Sequence, residues 1–208
     1  MKCLKIFGLA AVAAIALMAF LGASSASATV LCKTTPVSNS CPFSWDYSAG
    51  TALHLTIENT IHFVAGPIDD TCTEFTTKGT TATTGSATTT VSGNFQVIKL
   101  TCTCPTNITA FGSFEIHWIS GTHNGTLTGK GTKYEITCSG ITCEYGTAAT
   151  GTHLGTVTAS ATSTSAATID IDAELGKEGG GFLCPVVGEL SGNFWITEPK
   201  PLYIAQTG

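Results

Sequence analysis

Between Leu53 and Phe63 the apolar residues Leu53, Leu55, Ile57, Ile61 and Phe63 alternate with the polar residues His54, Thr56, Glu58, Thr60 and His62. A strand throws successive side chains to opposite faces, so this period of two predicts a sheet with one buried and one wet face. The pattern returns at Phe114-Glu115-Ile116-His117-Trp118, at Tyr134-Glu135-Ile136-Thr137-Cys138 and from Ile169 to Leu175. Turn-forming clusters stand between these runs: Ala65-Gly66-Pro67, Ser92-Gly93-Asn94, Cys104-Pro105-Thr106-Asn107, His123-Asn124-Gly125 and Gly179-Gly180-Gly181. Asn124-Gly125 reads as the best two-residue hairpin turn, because both residues tolerate positive φ. Beyond the N-terminal run, no long segment spaces its apolar residues as a helix would. The 37 threonines among 208 residues fit the same reading, since a branched Cβ suits a pleated surface and a hydroxyl suits water. The expected fold is all-β: an antiparallel β-sandwich or jelly roll, with a closed β-barrel as the alternative. Two Thr/Ala/Gly/Ser tracts remain, of which 76–90 reads as a long loop or edge hairpin and 147–168 as an exposed strand.

The first 28 residues read as a signal peptide. Lys2 and Lys5 precede an apolar run from Ile6 to Leu21, and Ala26-Ser27-Ala28 supplies the small-x-small cleavage pattern. The run is shorter than the roughly 20 apolar residues a spanning helix needs. Leu31 before Cys32 is not the small residue that lipid attachment to that cysteine would want. A single β domain, 29–208, is then exported, with no membrane-spanning segment.

Export gives the cysteines their meaning. Cys3 leaves with the leader, and the remaining eight are Cys32, Cys41, Cys72, Cys102, Cys104, Cys138, Cys143 and Cys184. An even count in an oxidising compartment reads as disulfides. Cys138 and Cys143 bracket a short turn and are expected to pair, as are Cys32 and Cys41. Cys102 and Cys104 share a strand face, so they are expected to reach outward to Cys72 and Cys184. Cys102, Cys104, Cys138 and Cys143 match the usual C-x2-C zinc spacing poorly, and no metal is assigned.

The remaining constellations point away from catalysis. His54, Glu58 and His62 would share one face of a helix, but on a strand four residues span about 13 Å, too far to converge on one ion. Asp170, Asp172 and Glu174 stand about 6.8 Å apart in turn along a strand face, and calcium there would need oxygens from a facing loop such as Asp69-Asp70. Glu115, Glu135 and Asp172 are the carboxylates from which a glycosidase pair would be drawn. No G-x-S-x-G elbow, H-E-x-x-H or C-x-x-C is present, and His117, His123 and His153 lack a partner at a diagnostic spacing. The chain therefore reads as non-enzymatic, without cofactor. Phe43, Trp45 and Tyr47 alternate, and with Trp118 and Trp195 they would form either core or a sugar-stacking face. Thr-x-Thr triplets at Thr71, Thr101, Thr126, Thr156 and Thr162 lack the constant period an ice-binding ladder requires. Val91-Ser92-Gly93-Asn94-Phe95 echoes Leu190-Ser191-Gly192-Asn193-Phe194, a repeated turn-into-strand solution. The net charge of −5 and the absence of arginine argue against nucleic acid.

The Met-Lys-x-Leu-Lys leader ending Ala-Ser-Ala, Tyr134 to Cys138 with Cys143-Glu144-Tyr145, Leu183-Cys184-Pro185, Leu190 to Phe194 and Pro199 to Ile204 resemble a group of small exported proteins. These occur as multiple paralogues in high-GC Gram-positive soil bacteria. The resemblance implies export and β architecture, and no functional residue is carried over. The functional expectation is a secreted or envelope-associated, noncatalytic domain acting by surface or ligand contact, with a cell-surface glycan or envelope component as partner. A carbohydrate-binding module and a polysaccharide hydrolase are the alternatives.

Overall fold

The computed structural model describes residues 28–42, 44–86 and 88–207. The expected leader lies outside the described residues except for Ala28, and so does Phe43. Strand β1 (Val30–Cys32) is followed by three long strands, β2 (Ala52–Ala65), β3 (Ile68–Thr81) and β4 (Val91–Cys102). Six short ones come next: β5 (Thr106–Ala110), β6 (Ser113–Trp118), β7 (Gly125–Lys130), β8 (Lys133–Cys138), β9 (Ile141–Gly146) and β10 (Thr152–Thr158). The long strands β11 (Ala167–Gly180) and β12 (Val187–Glu198) and the short β13 (Tyr203–Ala205) complete the chain. No helix among the described residues is long and apolar enough to cross a membrane.

Every pairing between neighbouring strands is antiparallel, in the order β10-β7-β6-β4-β3-β2-β12-β11, and β10 pairs with β11 to close the ring. The architecture is an eight-stranded barrel, the expected alternative, rather than a sandwich or jelly roll. Strand β10 makes the difference. The Thr-rich tract 147–168 supplies a strand whose one edge meets β7 and whose other edge meets β11. Closure removes the open edges that a sandwich leaves. Its Val157 is fully buried, facing inward between Thr156 and Thr158.

The barrel has two tiers. The long strands β2, β3, β4, β11 and β12 run the length of the molecule, while β6, β7 and β10 wall only one end. At the other end β9 takes over the edge of β11, from Gly176 to Gly180, and is followed by β8 and β5. This second wall returns to β3 by side chains. Asp70, 1% exposed, accepts hydrogen bonds from Thr103 Oγ1 (2.8 Å), the Cys104 N–H (2.8 Å) and Thr106 Oγ1 (2.8 Å). The Cys104–Cys138 disulfide ties the same corner to β8.

The alternation read between Leu53 and Phe63 is the inward face of β2: its five apolar members are buried, and its polar members are partly or fully exposed. The chain ends meet over the first tier. Strand β1 pairs with β13, and Leu31, Leu202 and Ile204 join the main core. The predicted cleavage point falls where the chain enters this cap: Ala28 is 7% exposed and Thr29 is fully buried, its Oγ1 accepting the Trp118 N–H (2.9 Å).

Three local expectations are corrected. Ser92-Gly93-Asn94 lies inside β4, and its echo around Gly192 lies inside β12, so neither is a turn. A Cβ on Gly93 would stand 2.4 Å from the Phe114 ring, so this glycine is room for an inward aromatic. Asn124-Gly125 is not a two-residue turn either. Gly125 already pairs with Trp118, and the chain reverses through 119–124, with positive φ at Gly121.

The eight cysteines form Cys32–Cys41, Cys72–Cys102, Cys104–Cys138 and Cys143–Cys184. Cys138 does not pair with Cys143, and Cys104 reaches Cys138 rather than Cys72 or Cys184. The reason is register. Ser139 and Gly140, both at positive φ, make the two-residue turn of the β8–β9 hairpin. Cys138 then opposes Ile141 and Cys143 opposes Ile136. Diagonal positions of this kind lie about 7–8 Å apart, beyond ordinary disulfide reach. Each cysteine instead bonds to a neighbouring element, at Cα–Cα distances of 5.2 Å for Cys104–Cys138 and 5.7 Å for Cys143–Cys184.

Candidate functional site

The two tiers meet at a waist that the chain crosses three times. Phe111-Gly112 leads from β5 to β6, Gly131-Thr132 from β7 to β8, and residues 147–151 from β9 to β10. Two crossings are laced together: the Thr132 N–H donates to Thr147 Oγ1 (2.9 Å), and the Thr147 N–H donates to the Thr132 carbonyl (2.9 Å). Backbone that changes tiers cannot continue a ladder, so pairing lapses around it. Strand β10 accompanies β11 only as far as Ile171, and β9 joins it at Gly176. Strand β4 leaves β6 after Asn94 and keeps only β3 as its neighbour.

Beneath these lapses lies a cavity of about 100 Å³. Leu55, Phe75, Phe95, Phe114, Leu154 and Phe194 line it from the first tier and the long strands, and Ile108 and Tyr134 from the second wall. Phe111 also lines it while 57% exposed, so the cavity reaches the surface at the β5–β6 crossing. A void of about 30 Å³ continues toward the second tier and shares Phe75, Ile108, Tyr134 and Leu190 with it. The aromatic walls hold one another: Phe95 stacks on Phe114 at 4.4 Å, and Phe75 meets Phe194 edge-on at 5.3 Å. An eight-stranded barrel has an interior that side chains just fill or that holds one small ligand, and here space remains at the waist.

Among the described residues no charged side chain lines this cavity. The polar residues in its lining are Thr77, Ser113, Thr132 and Tyr134. Thr77, on β3 between Leu55 and Val97, is 7% exposed, and its Oγ1 has no hydrogen-bond partner among the described residues. Burial pushes the Tyr134 phenol up to about 12.

The residues singled out in the sequence lie elsewhere. His54 pairs with Glu198 (3.0 Å), and His62 contacts Thr60 and Thr71, so the His54–Glu58–His62 stripe is an outer surface of β2. Asp170, Asp172 and Glu174 point outward from β11 opposite Asn193, Ser191 and Glu189. Asp69 and Asp70, expected on a facing loop that would complete a calcium site with them, lie instead on β3, and Asp70 is committed to the β4–β5 corner. Glu115 pairs with Lys130 (2.7 Å) on β6 and β7, Glu135 stands on β8 between Asn107 and Glu144, and Asp172 is on β11. None of the three lines the waist cavity. Trp118 and Trp195 stand on β6 and β12, four strands apart whichever way the ring is followed, so they do not build one stacking platform. Trp45 is 49% exposed beside the terminal ribbon, and the Tyr47 hydroxyl donates to the Pro201 carbonyl (2.8 Å). Thr77 and Tyr134 were not anticipated: one lies in a threonine-rich run and the other in an alternating strand, and nothing local distinguishes them from their neighbours.

Fold and cavity together define a disulfide-stapled eight-stranded β-barrel with an apolar chamber at its waist. No protein-family model, curated protein or solved structure matches the chain.

Proposed function

We propose that the chain is an exported, noncatalytic binding domain that holds a small apolar molecule in its waist cavity. The observation that carries this reading is an aromatic-walled chamber, open at Phe111 and lined by no charged side chain among the described residues, inside a closed eight-stranded barrel. Ligand sites are typically apolar concavities with few polar groups, and empty apolar volume forfeits the dispersion contacts that an occupant restores. An engineered cavity of about 150 Å³ in another protein takes up benzene, so the occupant is on the order of six heavy atoms, or one end of a longer molecule. Export is supported by four disulfides, which persist in oxidising compartments.

Methyl-resolved NMR on the oxidised chain 29–208 tests the reading. Benzene or cyclohexane is expected to shift the methyl signals of Leu55, Val97, Leu154 and Leu190, and a glycan array is expected to stay silent. Saturable glycan binding, with cavity methyl signals unmoved by either hydrocarbon, would return the function to the outer surface.

A further inference from the structure

We infer that the far end of the second tier docks on a zwitterionic lipid surface, into which the loop between β11 and β12 inserts Phe182, Leu183 and Val186. This contact is separate from the waist cavity and does not depend on what the cavity holds.

Four large apolar side chains within six residues of this loop are given to water. Phe182 is 94% exposed and Val186 80%, with Leu183 and Val187 about half exposed. Single exposed apolar residues are ordinary, whereas a contiguous group marks a surface that meets another phase or molecule. The loop is also fixed in place. Cys184 is buried and bonded to Cys143 of β9. Pro185 sits so close over the β2–β3 turn that a Cβ on Gly66 would stand 2.8 Å from its ring. An apolar tip held in one conformation loses little freedom on docking.

The backbone behind the tip is prepared for a medium without hydrogen bonds. The carbonyls of Gly181 and Cys184 both accept from Lys177 Nζ (2.8 and 3.1 Å). The Pro185 carbonyl accepts from the Tyr145 hydroxyl (3.2 Å), and the Val186 carbonyl from the Lys177 N–H (2.9 Å). The Cys184 N–H donates to the Gly181 carbonyl (3.2 Å), and Pro185 has no N–H to satisfy. A protein partner could supply such bonds across an interface, but hydrocarbon supplies none, so groups already matched within the loop favour lipid.

Charge selects the headgroup. Glu189 is the next outward residue of β12 after Val187, about 6.8 Å further along the strand, and it stands directly opposite Glu174 of β11. Both are exposed, and neither meets a cation among the described residues. The Lys177 ammonium is turned onto the loop's own carbonyls, and the Lys133 ammonium is paired with Glu178 (3.0 Å). Two like charges side by side would be repelled by an anionic surface. They match the ammonium group that phosphatidylcholine presents outermost.

Vesicle flotation of the oxidised chain 29–208 reads this out. Phosphatidylcholine vesicles should carry the wild type, and phosphatidylglycerol vesicles should carry less of it. Phe182→Ser combined with Val186→Ser should weaken partitioning to phosphatidylcholine at least about tenfold, because membrane affinity follows the apolar area buried. This variant should melt as the wild type does, since both side chains stand in solvent. Glu174→Gln combined with Glu189→Gln should narrow the preference between the two lipids.

A wild type that does not float with phosphatidylcholine, or a double serine variant that floats equally well, would overturn the docking. Equal or tighter binding to phosphatidylglycerol, or a preference unchanged by the glutamine substitutions, would overturn the headgroup assignment. Self-association in sedimentation that the serine substitutions abolish, without flotation, would make the loop a contact between proteins instead.

Discussion

Tyr134 shows how a single side chain couples the cavity to stability. Its phenol ionises at about 12 rather than near 10, because the phenolate would sit in the apolar wall. Below pH 10 the folded and unfolded chains both hold the proton, and the group adds no pH dependence. Between pH 10 and 12 the unfolded chain releases it while the folded chain retains it, so stability falls as pH rises. The loss approaches 2–3 kcal/mol on the order-of-magnitude scale once pH exceeds the folded value. Denaturation by urea at a series of alkaline pH values should show this decline, and Tyr134→Phe should flatten it. An equal slope in the variant would assign the decline to other groups.

At the scale of elements, alternation carried most of the information. The strands around Leu53, Phe114, Tyr134 and Ile169 were legible because one face of each meets the core and the other meets water. Turns were less legible. Ser139-Gly140 reverses the chain in two residues, whereas Asn124 spends its side chain elsewhere, its Oδ1 accepting the Ala159 N–H (3.0 Å). Cystine pairing depended on that choice of turn. With Ser139-Gly140 at the tip, Cys138 and Cys143 become diagonal neighbours and each reaches a different element. Proteolysis without reduction, followed by mass spectrometry, should recover linked peptides containing Cys104 with Cys138 and Cys143 with Cys184, and no free thiol among the eight. A peptide joining Cys138 directly to Cys143 would contradict the register of this hairpin.

For the molecule as a whole, the decisive events are closures between distant parts of the chain. Strand β10 joins β7 to β11, and β1 joins β13, so residues near both ends of the described chain form one cap. Ile204 in that cap is fully buried, and its side chain reaches Gly125 on β7. Ile204→Ala removes packing between the terminal ribbon and the first tier and should lower stability by about 2–4 kcal/mol, read as a lower urea midpoint. A change below about 0.5 kcal/mol would mean that the ribbon is not part of the cooperative core.

What the sequence by itself determined is the class of structure. Period-two alternation requires sheets, because a slip of one residue would turn every buried side chain to water. An even set of cysteines behind a leader-like segment requires pairing if the chain is exported. Threonine on the wet face keeps that surface polar with few charges. Only the tertiary structure decided that β10 closes a barrel, which cysteines lie within reach, and that Thr77 is among the residues lining a chamber while Thr76 and Lys78 beside it are not. These outcomes depend on the strand that lies next to each residue and on where the ladders lapse. Both are set by chain reversals far away in sequence, and a residue's own neighbours carry no record of them.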